Sequence, residues 1–205
     1  GRKICILADL AFGCQVDPAD VPMEGISRLS LRDVKIAQRA GYRVKLLGRA
    51  VRLPGGRTAY VAPHLIPEEQ PLASVDDVFN AVVVRGNATG DVMFYGRGAG
   101  KLPTASAVVA DVIDIAKDLK KDRHNAWGPG APDLVVSPDI LSSRWYVCAN
   151  ASMDQARLAC GEIQPLARAG APAGEAAFLT GQMTYPQIRD CLKGMAVSSL
   201  FRVLE

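Results

Sequence analysis

The 205 residues hold few of the side chains from which metal, disulfide or nucleic-acid chemistry is built. Histidine occurs only twice, at His64 and His124, and neither stands beside a cysteine or an acidic cluster, so both read as surface or linker residues. Five cysteines (Cys5, Cys14, Cys148, Cys160 and Cys191) are an odd number, far apart and without a CxxC pair. That spacing speaks for neither a zinc site nor a disulfide framework, and a reducing cytoplasm fits it best. Cys5 and Cys14 lie in apolar surroundings and read as small core residues. Basic residues are scattered, with Lys120, Lys121 and Arg123 the one cluster and a net charge of only +3. A solvated helix end explains that cluster, and no nucleic-acid partner is implied. No apolar run reaches the length of a membrane span and no signal peptide is seen, so no membrane partner is expected. The chain opens at Gly1, in mid-pattern at Arg2-Lys3-Ile4-Cys5-Ile6-Leu7, which reads as a fragment of a longer protein.

What is present is ordinary globular material, 49% apolar and 22% charged, long enough for one large or two small domains. Lys3 to Phe12 predicts a helix stopped by Gly13, and Asp17-Pro18-Ala19-Asp20 a turn. Ser30, with Asp33 three residues on, predicts a capped helix to Ala40 that Gly41 closes. Tyr42–Val51 and Thr58–Ala62 predict two strands around Pro54-Gly55-Gly56, and Phe79–Val84 and Val92–Tyr95 two more around Gly86 to Gly90. Thr104 to Leu119 predicts a helix whose Val108, Val112, Ile115 and Leu119 face a core. This order implies an α+β class, a mixed or antiparallel sheet with helices on one face, rather than a doubly wound nucleotide fold.

From His124 to Asp139 two glycines and three prolines with few apolar residues mark a boundary. The division is therefore 1–122, a linker at 123–141, and 142–205. In the last part Arg144–Ala149, Met153–Ala159, Glu175–Thr180, Tyr185–Lys193 and Ser199–Leu204 give a βαββαβ-like order, with a weak strand near Ile163–Leu166. That is the pattern of a small ferredoxin-like module.

Tyr95-Gly96-Arg97-Gly98-Ala99-Gly100-Lys101-Leu102-Pro103-Thr104 is the stretch richest in chemistry. Glycines spaced by single residues let the backbone turn sharply and approach another group closely. Thr104 can cap a helix whose free N–H groups favour an anion. The spacing is neither the Rossmann fingerprint nor a P-loop, because Leu102 follows Lys101. Contact with a ligand and tight packing against another backbone both satisfy the pattern.

Gly96 to Gly100 followed by Pro103-Thr104-Ala105-Ser106-Ala107-Val108-Val109-Ala110-Asp111 resembles a late motif of homoserine dehydrogenases. Pro71-Leu72-Ala73-Ser74-Val75, Asn80-Ala81-Val82, Leu10-Ala11-Phe12-Gly13, Val16-Asp17-Pro18 and Glu24-Gly25-Ile26 follow in that family's order, over residues 1 to about 118. The resemblance implies hydride transfer between NADP or NAD and aspartate semialdehyde, giving homoserine, by a homodimer. It implies Lys3 as the proton donor to the carbonyl oxygen, Gly96, Gly98, Ala99 and Gly100 as cofactor-binding residues, and no metal. The family's partnering Asp, its substrate-binding acid and its early GxGxxG turn have no counterpart here, so the fragment is expected to be inactive alone. In isolation Lys3 reads as a solvated terminus. Gln70 stands where the family often has His and cannot titrate. Residues 142–205 resemble an ACT domain, except that Asn150-Ala151-Ser152-Met153-Asp154 replaces the usual Asp-x-Pro-Gly turn. Weak or lost threonine sensing is expected. The alternative reading is a non-catalytic dimerisation or amino-acid-sensing module.

Overall fold

A glycine stop, a serine cap and a glycine-led hairpin organise the N-terminal part as the sequence predicts. The computed structural model describes residues 1–119, 121, 128–130, 134–166 and 174–205. Helix α1 (Arg2–Phe12) ends at Gly13, whose φ of 72° only glycine adopts freely and whose N–H donates to the Asp9 carbonyl at 2.9 Å. Helix α2 (Leu31–Arg39) starts under a reciprocal cap: the Ser30 hydroxyl accepts from the Asp33 N–H at 3.1 Å and the Asp33 carboxylate from the Ser30 N–H at 3.3 Å. Strands β1 (Tyr42–Leu53) and β2 (Gly56–Pro67) pair antiparallel from Tyr42↔Pro67 to Leu53↔Gly56, longer than expected. At Gly48 β1 lets α1 descend on it, since a Cβ there would stand 3.1 Å from the Ile4 Cβ.

The chain divides into two compact units, Gly1–Glu68 with Ala126–Glu205 and Glu69–Asn125. The smaller holds the hairpin β3 (Phe79–Gly86) and β4 (Gly90–Arg97), then helix α3 (Lys101–Asp118). Phe79 and Tyr95 stack at 4.9 Å, and Arg85 grips Asp91 through two hydrogen bonds of 2.7 and 2.9 Å. Helix α3 departs from expectation twice. It begins at Lys101 with Gly100 as its cap, so Thr104 lies inside the first turn; Pro103 is tolerated there because that turn has no N–H to lose. Nor do Val108, Val112, Ile115 and Leu119 face a core, being 57%, 60%, 63% and 78% exposed, and no residue of α3 is buried. A helix apolar on several sides needs cover that a two-stranded hairpin does not supply. Of the basic cluster, Lys121 pairs with Asp118 at 3.0 Å, while Lys120 and Arg123 lie outside the described residues, as does His124.

The larger unit gathers the rest around one sheet. Strand β5 (Trp145–Asn150), helix α4 (Met153–Cys160), strands β6 (Ile163–Pro165) and β7 (Glu175–Thr180), helix α5 (Tyr185–Cys191) and strand β8 (Ala196–Val203) follow in βαββαβ order. The six strands lie in the order β1-β2-β8-β5-β7-β6. Only β2 and β8 run parallel, through His64↔Arg202 and Leu65↔Val203; the other neighbours are antiparallel. Helices therefore cover both faces of the joint sheet: α1 and α2 share the face of Val44 and Ala50, as expected of the N-terminal part, while α4 and α5 cover the other. The reason lies in β5, whose Trp145, Val147 and Ala149 pack with Ala156, Ile188 and Leu192 while Tyr146 and Cys148 pack with Ile36 and Ala37. A strand buried on both sides is a continuous apolar run, and two helical layers follow from it. Compactness thus groups residues differently from the composition-based division at 1–122, 123–141 and 142–205. Described parts of 123–141 are held to β2: the Arg57 N–H donates to the Leu134 carbonyl at 2.9 Å and the Val136 N–H to the Arg57 carbonyl at 2.7 Å.

His64, expected at the surface, is fully buried in β2. Its Nδ1 lies 2.9 Å from the Ala62 carbonyl, which can only accept, so Nδ1 carries the proton and Nε2 accepts from the Tyr60 hydroxyl at 3.1 Å. Both bonds suit a neutral ring, and burial pushes the imidazole down from 6.5 to about 4. The unfolded chain then takes up a proton near pH 6.5 that the folded chain refuses until about pH 4. Stability is full above pH 6.5 and falls as the pH drops through that window, by about 3 kcal/mol at most. Urea denaturation at pH 7 and pH 4.5 is expected to show a smaller acid loss in His64→Gln than in the unsubstituted chain. Equal losses would refute the assignment.

Candidate functional site

Helix α1 has two unlike faces. Cys5, Ala8 and Asp9 turn inward, and Cys5 and Ala8 pack with Val16, Val21 and Ala59. The buried Asp9 carboxylate accepts from the Val16 N–H at 2.7 Å, fixing the chain that leaves Gly13. Lys3, Ile6, Leu7 and Leu10 fall on the opposite face, all exposed, Ile6 and Leu10 by more than half. Residues three and four apart share a helix face, so the Lys3 ammonium heads an apolar stripe from the first turn of the helix. Such a stripe, once a second wall covers it, lowers the dielectric around the ammonium. A polarised carbonyl oxygen is then stabilised more strongly than it would be in water.

The glycine loop belongs to the other unit. Gly96 stands opposite Asn80 one residue before the end of β4, and the Gly98 N–H donates to the Val78 carbonyl at 3.3 Å. A Cβ on Gly98 would meet the Asn80 side-chain amide at 2.4 Å. Gly100 has φ 123° and ψ 155°, a conformation reserved for glycine, and turns the chain into α3. No side chain caps that helix, so its first N–H groups stay open to an anion, with Lys101 beside them. Arg97 is spent on the Phe79 ring, 5.1 Å from its centroid. Ala99 is exposed between the two glycines. The structure thus brings Gly96, Gly98, Ala99 and Gly100 into one turn and sets Lys3 in the other compact unit.

Two arrangements had no sequence expectation. The first is centred on the Asp33 carboxylate, 2% exposed, which accepts from the Tyr146 hydroxyl at 2.9 Å, the Ser199 hydroxyl at 2.8 Å and both groups of Ser30. Burial first, and then the Asp33 charge, push the Tyr146 phenol far above its usual value. The second is Arg202, whose guanidinium lies over the rings of Trp145 and Tyr60 at 4.3 and 5.3 Å. A cation inside the apolar run Leu200-Phe201-Arg202-Val203 was the signal for it. No group of three or more His, Cys, Asp or Glu able to hold a metal occurs among the described residues, and no described helix is long and apolar enough to cross a membrane.

Comparison with known proteins gives these features a setting. A family model for homoserine dehydrogenase matches residues 1–113. The homoserine dehydrogenase of Neisseria gonorrhoeae is 42% identical over 173 residues, covering 81% of this chain and 39% of the relative. That of Pseudomonas aeruginosa is 44% identical over 141 residues, or 69% of this chain and 32% of the relative. Among solved structures, a homoserine dehydrogenase from Thiobacillus denitrificans superposes with a TM-score of 0.81 at 30% identity, covering 99% of this chain and 52% of that one. The enzyme of S. aureus at pH 6.0 gives a TM-score of 0.75 at 31% identity, again covering 52% of that chain. The chain spans 32–39% of the length of these curated relatives and about half of the solved ones. Resting on a match to more than half of its residues, this chain belongs to the homoserine dehydrogenase family.

Proposed function

We propose that this chain forms the substrate-side and C-terminal part of an enzyme that interconverts L-homoserine and L-aspartate 4-semialdehyde with NADP or NAD, serving threonine and methionine biosynthesis as a cytoplasmic homodimer. The observation that carries the reading is Lys3, solvent-facing at the head of the apolar stripe of α1, inside the segment the family model matches. When bound, the nicotinamide supplies or accepts the hydride. Lys3 holds the carbonyl oxygen and donates a proton to it as the alcohol forms, and takes that proton back in the reverse direction. Gly98 and Gly100 suit a close backbone approach to the cofactor, because a side chain at either would fill the turn or strain it. The open start of α3 adds a partial positive charge beside them.

The part from 142 to 205 reads as an ACT-like module kept for packing or oligomerisation. Supporting this, the start of α4 is closed by the protein itself: the Ser152 hydroxyl accepts from the Gln155 N–H at 3.1 Å and the Gln155 amide oxygen from the Ser152 N–H at 2.9 Å. N–H groups occupied in this way have less to offer an amino-acid carboxylate.

A chimera tests the proposal. The residues of the Neisseria gonorrhoeae relative that this chain does not match are joined to it, and homoserine-dependent reduction of NADP and of NAD is followed. Turnover is expected in the chimera and none in the 205 residues by themselves. A folded but inert chimera would overturn the enzymatic reading, leaving the non-catalytic dimerisation or sensing module in its place.

A further inference from the structure

Half of the chain's sulfur lies in one place. Of its five cysteines and five methionines, Cys160, Cys191, Met153, Met183 and Met195 pack in or against the cluster that α4 and α5 build on β5 and β7. Methionine fills irregular gaps in any core, so the concentration alone assigns nothing. The arrangement of three of these sulfurs does.

Cys160 and Cys191 are the last residues of α4 and α5, and each stands at the negative end of a helix dipole. The Cys191 thiol points at the Met183 thioether, 4.0 Å away. Cys160 meets Cys191 from α4: burial first, and then the Cys191 thiol beside it, push Cys160 up to about 11. The backbone of Met183 is fixed. Its N–H donates to the Ser143 carbonyl at 2.9 Å, and its carbonyl accepts from the Ser143 N–H at 3.0 Å and from the Trp145 indole at 2.8 Å. Cys191 is partly exposed while the other four cysteines are buried, so it is the thiol that solvent reaches.

Metal–thiolate bonds are about 2.3 Å long, so two sulfurs on one three-coordinate metal stand about 4.0 Å apart. Cys191 and Met183 already have that separation. Among the described residues no carboxylate or imidazole joins the two cysteines to make a group of three such ligands. Two thiolates and a thioether do not suit Mg²⁺ or Ca²⁺, which take oxygen, and they lack the fourth ligand of a structural zinc site. They are the donors that select Cu(I).

From this geometry we infer that Cys160, Cys191 and Met183 form a three-sulfur site for a soft monovalent metal ion, Cu(I), where α4 and α5 end. As a copper–sulfur bond forms to each cysteine, that thiol releases its proton to solvent, and the copper keeps its oxidation state. The site is independent of the proposed reaction, since it shares no residue with Lys3 or Gly96–Gly100. Occupancy ties the ends of two helices together, so the stability of residues 142–205 responds to copper.

Cu(I) itself is the probe, offered to the 205-residue chain without oxygen in competition with the chelator bicinchoninate, with Zn(II) compared. One bound copper, an ultraviolet thiolate-to-copper band, three sulfur neighbours in X-ray absorption and a raised melting temperature are expected. Met183→Leu keeps the volume and removes the third sulfur. It is expected to weaken binding about 10–100-fold, the range for losing a supporting partner of a metal. Cys191→Ser, at a partly exposed position, is expected to weaken it further, and circular dichroism of the metal-free variants checks their fold. Should either variant not fold, X-ray absorption on the unsubstituted chain decides. Copper left on the chelator, fewer than three sulfur neighbours, affinity untouched by either substitution, or Zn(II) held as tightly would each overturn the inference.

Discussion

Replacing Lys3 by methionine in the active chimera is expected to lower kcat/KM for homoserine oxidation by about 10²–10⁴-fold, the range for loss of a positioned proton donor. Methionine keeps the length and apolar stem of lysine but carries neither proton nor charge. Arginine keeps the charge and cannot give up its proton near neutral pH, so Lys3→Arg is expected to recover only the electrostatic part. The exposure of Lys3 makes the experiment clean, since the side chain supports no packing and stability should move by less than about 0.5 kcal/mol. Steady-state kinetics with a matched melting curve decide the matter. A Lys3→Met chimera turning over within threefold of its parent would remove Lys3 from the reaction.

Asp33 should give the largest stability effect. Its carboxylate caps α2 and is the acceptor for the buried hydroxyls of Tyr146 and Ser199, which lie on two strands far along the chain. Asp33→Ala removes the carboxylate half of the capping box, while the Ser30 hydroxyl still accepts from the N–H of residue 33. It also leaves two buried hydroxyls without their acceptor, at about 1–3 kcal/mol each. A loss of about 3–5 kcal/mol is therefore expected in urea denaturation followed at Trp145. Tyr146→Phe should cost less, because it deletes one donor and orphans nothing but a lone pair. In the double variant the two losses should fall short of additive by about 1 kcal/mol. Full additivity would mean that the hydroxyl and the carboxylate do not depend on each other.

What could be read in the sequence was local. Gly13, Ser30 with Asp33, and the turn at Gly55 act on neighbours within a few residues, and each element they punctuate is present. The strand at Ile163–Pro165 was faint because only three residues pair there, yet it closes the edge of the sheet. The errors arose where a residue answers to a distant partner. His64 looked like a surface histidine because Arg202, its neighbour across the parallel pair, lies 138 residues further on. Asp33 was legible as a cap and illegible as a core carboxylate, since nothing near Ser30 points to Tyr146 or Ser199. Thr104 was misassigned through Pro103, which begins helices as readily as it ends them. The residues proposed for the reaction, a lysine and a glycine turn, were legible because family motifs carry them. That they fall in different compact units was not.

The parallel contact between β2 and β8 is only two residues long, but it has an evolutionary consequence. A C-terminal module hung on a tether could be traded between relatives or discarded without harm to its host. Here discarding it would strip the β2 flank of its neighbour and leave the backbone donors and acceptors of the His64–Leu65 step open to any passing strand. Exchange of residues 142–205 through recombination must therefore preserve a strand able to pair along 64–65. Inheritance of the two parts is bound by that seam and by the core it borders, where Asp33 takes the hydroxyls of Tyr146 and Ser199, however freely their surfaces drift.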